Sequence, residues 1–148
     1  MILIEIPETL PISIDPAFIE EAARVSLQAG GAHHNADLTI VLTDDAQLHQ
    51  LNLQFLGLDT PTDVLSFPAG TLDPDTDRPY LGDVIISVER AQAQAANHPL
   101  EDELRLLVVH GVLHLLGHDH AEPAEKETMW RIQHEVLRNL GCADIMPD

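Results

Sequence analysis

His110-Gly111-Val112-Leu113-His114-Leu115-Leu116-Gly117-His118-Asp119-His120 is the stretch that decides how this chain reads, and it holds four of the nine histidines. His110, His114 and His120 fall at positions i, i+4 and i+10. Residues four apart on a helix share a face about 6 Å apart, so His110 and His114 can reach one metal ion together. Gly117 stands where such a helix would stop, because glycine accepts the left-handed conformation that ends helices. The chain can then turn back and deliver His120 as a third ligand. Three neutral imidazoles with one coordination position left open is the arrangement of a catalytic zinc, one ion per chain, rather than a structural one. A lone histidine on a helix is more often a hydrogen-bonded core residue. The third one, just past a helix-ending glycine, tips the reading to metal. His118, two residues from His120 in a tight turn, is expected to point elsewhere.

Pro99 opens the helix that carries this stretch, with Glu101, Asp102 and Glu103 in its first turn. Leu104, Leu107, Val108, Gly111 and Leu115 face inward, which leaves His110 and His114 at the edge of that face, where a pocket floor would lie. Beyond the third histidine, Pro123 starts a last helix with Met129, Ile132, Val136, Leu137 and Leu140 as its buried stripe. Towards the N-terminus, residues 2–6, 36–42, 63–67 and 81–87 read as strands. Asp15 caps a helix with Pro16 at its first position and Ile14 placed to pack on Ile19. Its apolar face is Phe18, Ile19, Ala22, Val25 and Ala29, and Gly30-Gly31 stops it. Thr43 caps the next helix, whose first turn carries Asp44 and Asp45, suited to the positive end of the helix dipole. Leu48, Leu51 and Phe55 form its stripe and Gly57 ends it. Residues 68–80 read as a long acidic loop, more a solvated excursion than a lid. Ser87 caps a helix over 88–97. His33 and His34 read as a solvated pair. The expected fold is α+β, or a three-layer variant: a single domain over residues 1–148, about four strands in a mixed sheet packed by about five helices, with the metal-binding helix central.

The chain has 148 residues, 45% of them hydrophobic and only 3% aromatic, so aliphatic side chains must fill a real core. No apolar run approaches the ~20 residues of a membrane helix, and Met1-Ile-Leu-Ile-Glu5 lacks the basic start of a signal peptide. The cytoplasm is the default location. Cys142, the single cysteine, reads as a buried or incidental thiol. The formal net charge of −18 argues against tight, sequence-independent binding to duplex nucleic acid. It does not exclude a nuclease, because screening confines charge to about 8–10 Å and a bound divalent cation dominates its own cleft.

The motif His-Gly-x-Leu-His-Leu-x-Gly-His-Asp-His resembles the signature of the YbeY family, bacterial rRNA-maturation factors described as metal-dependent endoribonucleases. Asp59-Thr-Pro-Thr-Asp-Val-Leu-Ser-Phe-Pro68 is similar to that family's Pro-Thr-Asp-Val-Leu-Ser-Phe segment, and Leu81-Gly-Asp-Val-Ile-Ile-Ser87 to its Leu-Gly-Asp-Ile strand. Leu51-Asn52 also sits where the family carries such a pair. The resemblance covers nearly the whole chain and implies that His110, His114 and His120 are zinc ligands. It implies single-stranded RNA or rRNA as substrate, and ribosomal or other assembly proteins as partners. No membrane and no dinucleotide partner is expected. Leu56 stands where the family usually has Arg, a residue thought to hold or polarise phosphate. Leu58 stands at a basic position, and His118 where Tyr is common. Arg78 or Arg90 is the cation that would have to substitute.

The spacing is also that of the metzincin peptidases, His-Glu-x-x-His-x-x-Gly-x-x-His, in which the Glu is the general base. Here that position is Gly111, so a peptidase would lack its proton acceptor. Met129 falls at helical spacing with Ile132 and Val136 and reads as core rather than a Met-turn. A phosphodiester asks for less, because a zinc ion offsets its developing charge as a Lewis acid and makes water more acidic. The attacking group is that water or the adjacent 2′-OH of RNA, and both stay open. His118 and Asp119 are the nearest candidate proton carriers, although Asp119 can equally orient a ligand histidine or cap the turn. Ser66 and Asp83 are placed to line the cleft at strand ends. The leading expectation is a zinc-dependent, single-strand-specific endoribonuclease in rRNA processing and ribosome biogenesis. The alternatives are an assembly or interaction factor with a largely structural metal and little or no hydrolysis, and a metallohydrolase on another substrate.

Overall fold

In the computed structural model, which describes residues 1–32, 36–72, 74–75 and 77–142, local sequence signals account for most element ends. Pro16 takes the first helical position of α1 (Pro16–Ala29), and the Asp15 side chain accepts from the Ala17 N–H. Asp44, one residue after the expected Thr43, caps α2 (Asp45–Leu56) by accepting from the Gln47 N–H. Thr43 instead ends a strand. Ser87 caps α3 (Val88–Gln94) through the Arg90 N–H, as its hydroxyl predicts. That helix stops three residues before the expected position 97, where the chain turns instead, the His98 N–H bonding the Ala95 carbonyl at 3.2 Å. Leu100–Leu115 forms α4 and Pro123–Asn139 forms α5.

The strands β1 (Ile2–Glu5), β2 (Asp37–Thr43), β3 (Val64–Leu72) and β4 (Pro79–Ser87) make one mixed sheet in the order β1-β2-β4-β3. β1, β2 and β4 run parallel and β3 is antiparallel to β4. Here the structure corrects the reading of residues 68–80 as a loop. β3 and β4 continue pairing through Thr71↔Tyr80 and Leu72↔Pro79 after a register shift between Pro68 and Thr71. The backbone reason is that β3 lies at the sheet edge, where a proline removes no ladder bond that an interior strand would need.

Alternation then sorts the side chains. Leu38, Ile40, Leu42, Val84 and Ile86 share one face and pack, fully buried, with Ile19, Ala22, Leu104, Val108 and Val112 of α1 and α4. Each such side chain contributes about 1.5–3 kcal/mol on burial. α4 is central and buried on more than the one face expected. Its second flank, Leu106, Val109 and Leu113, packs with Met129, Val136, Leu137 and Cys142, so Met129 is core. α2 packs on β3 and β4, with Leu48 buried and Leu51 half-buried. Phe55, expected in that stripe, is 58% exposed. The inward position one turn earlier belongs to buried Asn52, which donates to the Thr60 carbonyl at 2.9 Å, and Phe55 is left in edge contact with Phe67. His33 and His34 lie outside the described residues. No helix among them is long and apolar enough to cross a membrane.

Candidate metal centre

α4 ends as its glycine predicts. Gly117 has φ +92°, its N–H reaches the His114 carbonyl at 3.0 Å, and the His118 N–H reaches the Leu113 carbonyl at 3.0 Å. These paired 6→1 and 5→2 bonds reverse the chain. The Asp119 carboxylate then accepts from the His120 N–H at 2.7 Å, and the turn brings His120 back over the helix. One nitrogen each from His110, His114 and His120 lie within 4.8 Å of one another. Ring centroids are 4.6 Å apart for His110–His114, 5.3 Å for His114–His120 and 5.7 Å for His110–His120.

The hydrogen bonds around the rings fix which nitrogen faces inward. His110 Nδ1 lies 3.0 Å from Gln133 Oε1, an acceptor, so Nδ1 carries the proton. The His118 backbone beside the His114 ring raises that ring's pKa against its burial. The Nε2 atoms of His110 and His114 meet at 3.1 Å. A cation between them can take both as ligands in place of the contact they make with each other. Tetrahedral zinc with Zn–N of 2.0–2.1 Å holds its nitrogens about 3.3 Å apart, close to the observed separation. The donor set therefore fits a metal ion.

Burial keeps both helical rings neutral. Desolvation, reinforced by the neighbouring imidazoles, lowers His114 from 6.5 to about 4, and desolvation also lowers His110 against the opposing Gln133 bond. In the chelated protein the unfolded chain therefore binds more protons than the folded one between pH 6.5 and about 4. Stability contributed by the neutral rings is complete above 6.5 and is lost as pH falls towards 4. The thermal midpoint of chelated protein should drop across that window, and His114→Gln should flatten part of the drop. An unchanged slope in that variant would show that the ring is not held neutral.

A cavity of about 470 Å³ opens beside the histidines. His110 and His120 line it together with Trp130 and Lys126 of α5, and Asp63, Gln94, His98 and Glu103 line it farther along α4. Trp130 packs its ring 5.9 Å from His110 and 5.6 Å from His120. His118 and Asp119 line a separate depression with Ala124 and Thr128. Ser66 is spent on the Gly111 carbonyl at 2.9 Å, and Asp83 accepts from the Tyr80 hydroxyl. Arg90 pairs with Asp45 and Arg78 lies against Asp37, so neither lines the cavity. Gly111 is filled against the sheet: a Cβ there would sit 2.5 Å from Val84 Cγ1, which leaves no room for a metzincin-like Glu.

The sequence reading missed Gln133, Trp130, Lys126 and the His98–Glu103 pair. For Gln133 a signal existed, since a polar residue interrupts the apolar stripe of α5 and is 1% exposed. For the others no local pattern marks the role.

Residues 11–141 match the family model described as Endoribonuclease YbeY. Endoribonuclease YbeY of Leifsonia xyli subsp. xyli is 43% identical, over 95% of this chain and 97% of the relative. Endoribonuclease YbeY of Roseiflexus sp. is 47% identical, over 88% and 86%. Among solved structures, the solution structure of TM1509 from Thermotoga maritima superposes with a TM-score of 0.59 at 24% identity, covering 99% of this chain and 97% of the other. At that identity the likeness speaks for the fold alone.

Proposed function

The chain belongs to the endoribonuclease YbeY family, and from that premise we propose that it is a zinc-dependent endoribonuclease cutting single-stranded RNA during rRNA maturation in the cytoplasm, working as one domain with His110, His114 and His120 as the metal ligands. The observation that carries the reading is the convergence of one nitrogen each from His110, His114 and His120 within 4.8 Å of one another, beside a cavity. When bound, the metal supplies Lewis acidity to a phosphodiester and makes an attacking water more acidic. The protein's own part is positional. Gln133 Oε1 accepts from His110 Nδ1 and leaves Nε2 as the nitrogen free to ligate, as the outer hydrogen-bond partners of metal-bound histidines do.

Substrate charge needs an answer in a chain of net charge −18. Lys126, the single lysine, lines the cavity and lies 5.9 Å over the Trp130 ring. We assign it the phosphate-holding role that Leu56 cannot fill. Lys126→Ala should raise KM about tenfold with a smaller effect on kcat, the loss expected for one phosphate contact. The purified protein should cleave single-stranded RNA, and chelation should abolish the cleavage until zinc is restored. Absence of cleavage at full metal loading would defeat the assignment.

A second reading, an assembly or interaction factor, is favoured by one feature. Leu53, Phe55, Leu56 and Leu58 are 48%, 58%, 58% and 53% exposed in one short span, an apolar surface of the kind that marks protein contacts. The same cleavage assay separates the two readings.

A further inference from the structure

The cavity beside the histidines continues along α4 to a polar end. Glu103 precedes His110 by seven residues, two helical turns on the same face, so the polar end lies about 10 Å from the ligands along the helix axis. That is farther than a group acting on the same phosphate would stand, and about the reach of the adjoining nucleoside. Resting on the endoribonuclease reading above, we propose that this end is a base-reading subsite that selects an RNA base bearing an exocyclic amine (adenine, cytosine or guanine) over uracil.

Among the described residues, the hydrogen bonds at this end leave two acceptor oxygens, Gln94 Oε1 and Asp63 Oδ1, without a partner. Glu103, 5% exposed, uses one oxygen on His98 Nε2 at 2.7 Å and the other on Gln94 Nε2 at 3.0 Å. Gln94 Nε2 donates its second hydrogen to Asp63 Oδ2 at 3.2 Å. Both partners of that amide nitrogen are carboxylates, so the Gln94 side chain is fixed with its NH2 consumed and its Oε1 unspent. Asp63 likewise keeps Oδ1. A carboxylate oxygen beside an amide oxygen matches an amino group with two hydrogens, as Asp and Glu do when they accept from cytosine N4. Uracil offers a single N–H, at N3 between the acceptors O2 and O4, so it can serve one of the two oxygens and sets a carbonyl against the other. The other wall is suited to the base plane: Trp130 lines the same cavity, and unstacked RNA bases are held by stacking on aromatic side chains. At about 470 Å³ the cavity falls in the range of small-ligand sites.

Trp130 is the chain's single tryptophan, so its indole N–H gives one resonance in a proton–nitrogen correlation spectrum and reports occupancy without any cleavage. Full-length protein would be titrated with AMP, CMP, GMP and UMP, with and without zinc. The three amine-bearing nucleotides should shift that resonance with Kd about tenfold below that of UMP. Asp63→Asn, nearly isosteric and able to keep its oxygen on Gln94, turns one acceptor into a donor. It should narrow the difference to about twofold or reverse it in favour of UMP. Equal Kd values for all four nucleotides, no shift with any of them, or an unaltered preference in Asp63→Asn would each overturn the subsite. Discrimination in binding, combined with failure of the zinc-loaded protein to cut RNA, would uphold the subsite and remove the nuclease reading.

Discussion

His114→Ala should lower cleavage of single-stranded RNA by about 1,000-fold or more, the several kcal/mol that metal assistance supplies to such a reaction, and should remove most bound metal. His114 contributes one of the two opposed Nε2 atoms, 3.1 Å from that of His110. Without it, two imidazoles remain on a helix edge and a turn, too few to hold an ion tightly in a cleft open to water. The fold should survive. His114 is only half-buried, so a destabilisation of about 1 kcal/mol is expected. Metal content, circular dichroism and cleavage of a labelled single-stranded RNA measured on one preparation separate the outcomes. Retained cleavage would rule His114 out as a ligand. Collapse of the fold together with loss of metal would make the ion structural.

Gly82→Ala should cost about 3 kcal/mol or more and lower the thermal midpoint by about 10 °C. Two effects coincide there. Gly82 has φ +134°, and a Cβ on it would sit 2.1 Å from the Phe67 carbonyl oxygen and 3.0 Å from the Ala69 nitrogen. Both atoms are backbone of the neighbouring strand β3, so neither can move without breaking the ladder at Pro68↔Gly82 and Phe67↔Asp83. Gly31→Ala is the control. Its φ is also positive, +78°, but nothing lies within 4 Å of a Cβ there, so only the dihedral penalty of about 1 kcal/mol remains. Urea denaturation of the two variants decides the matter: equal midpoints would mean that the close approach at Gly82 costs nothing.

Residue chemistry that acts over one or two turns was legible without coordinates. Asp15 and Ser87 cap helices because their side-chain oxygens accept from N–H donors within three residues, and Pro16 opens one because its fixed φ suits the first helical position. Gly117 ends α4 because no other residue takes φ +92° so easily. The i, i+4 histidines share a face by helix geometry alone, and Gly111 excluded a peptidase base by its lack of a side chain. Other features depended on partners distant in sequence. The extension of β3 and β4 through residues 68–80 arises from pairing across a bulge, which proline and aspartate content concealed. Phe55 looked internal because the stripe continued to it, but only the Phe67 ring at the edge strand β3 meets it, and it stays 58% exposed. Gln133 is 23 residues from His110, and only the packing of α5 on α4 gives it the task of setting a tautomer. The Asp63–Gln94–Glu103–His98 chain of bonds joins the bend before β3, the end of α3, the first turn of α4 and the loop between those helices. Short-range geometry belongs to the sequence because backbone dihedrals and hydrogen bonds act locally. Which donors and acceptors remain unspent at a cavity depends on every bond already made, and that is fixed only when the whole chain has packed.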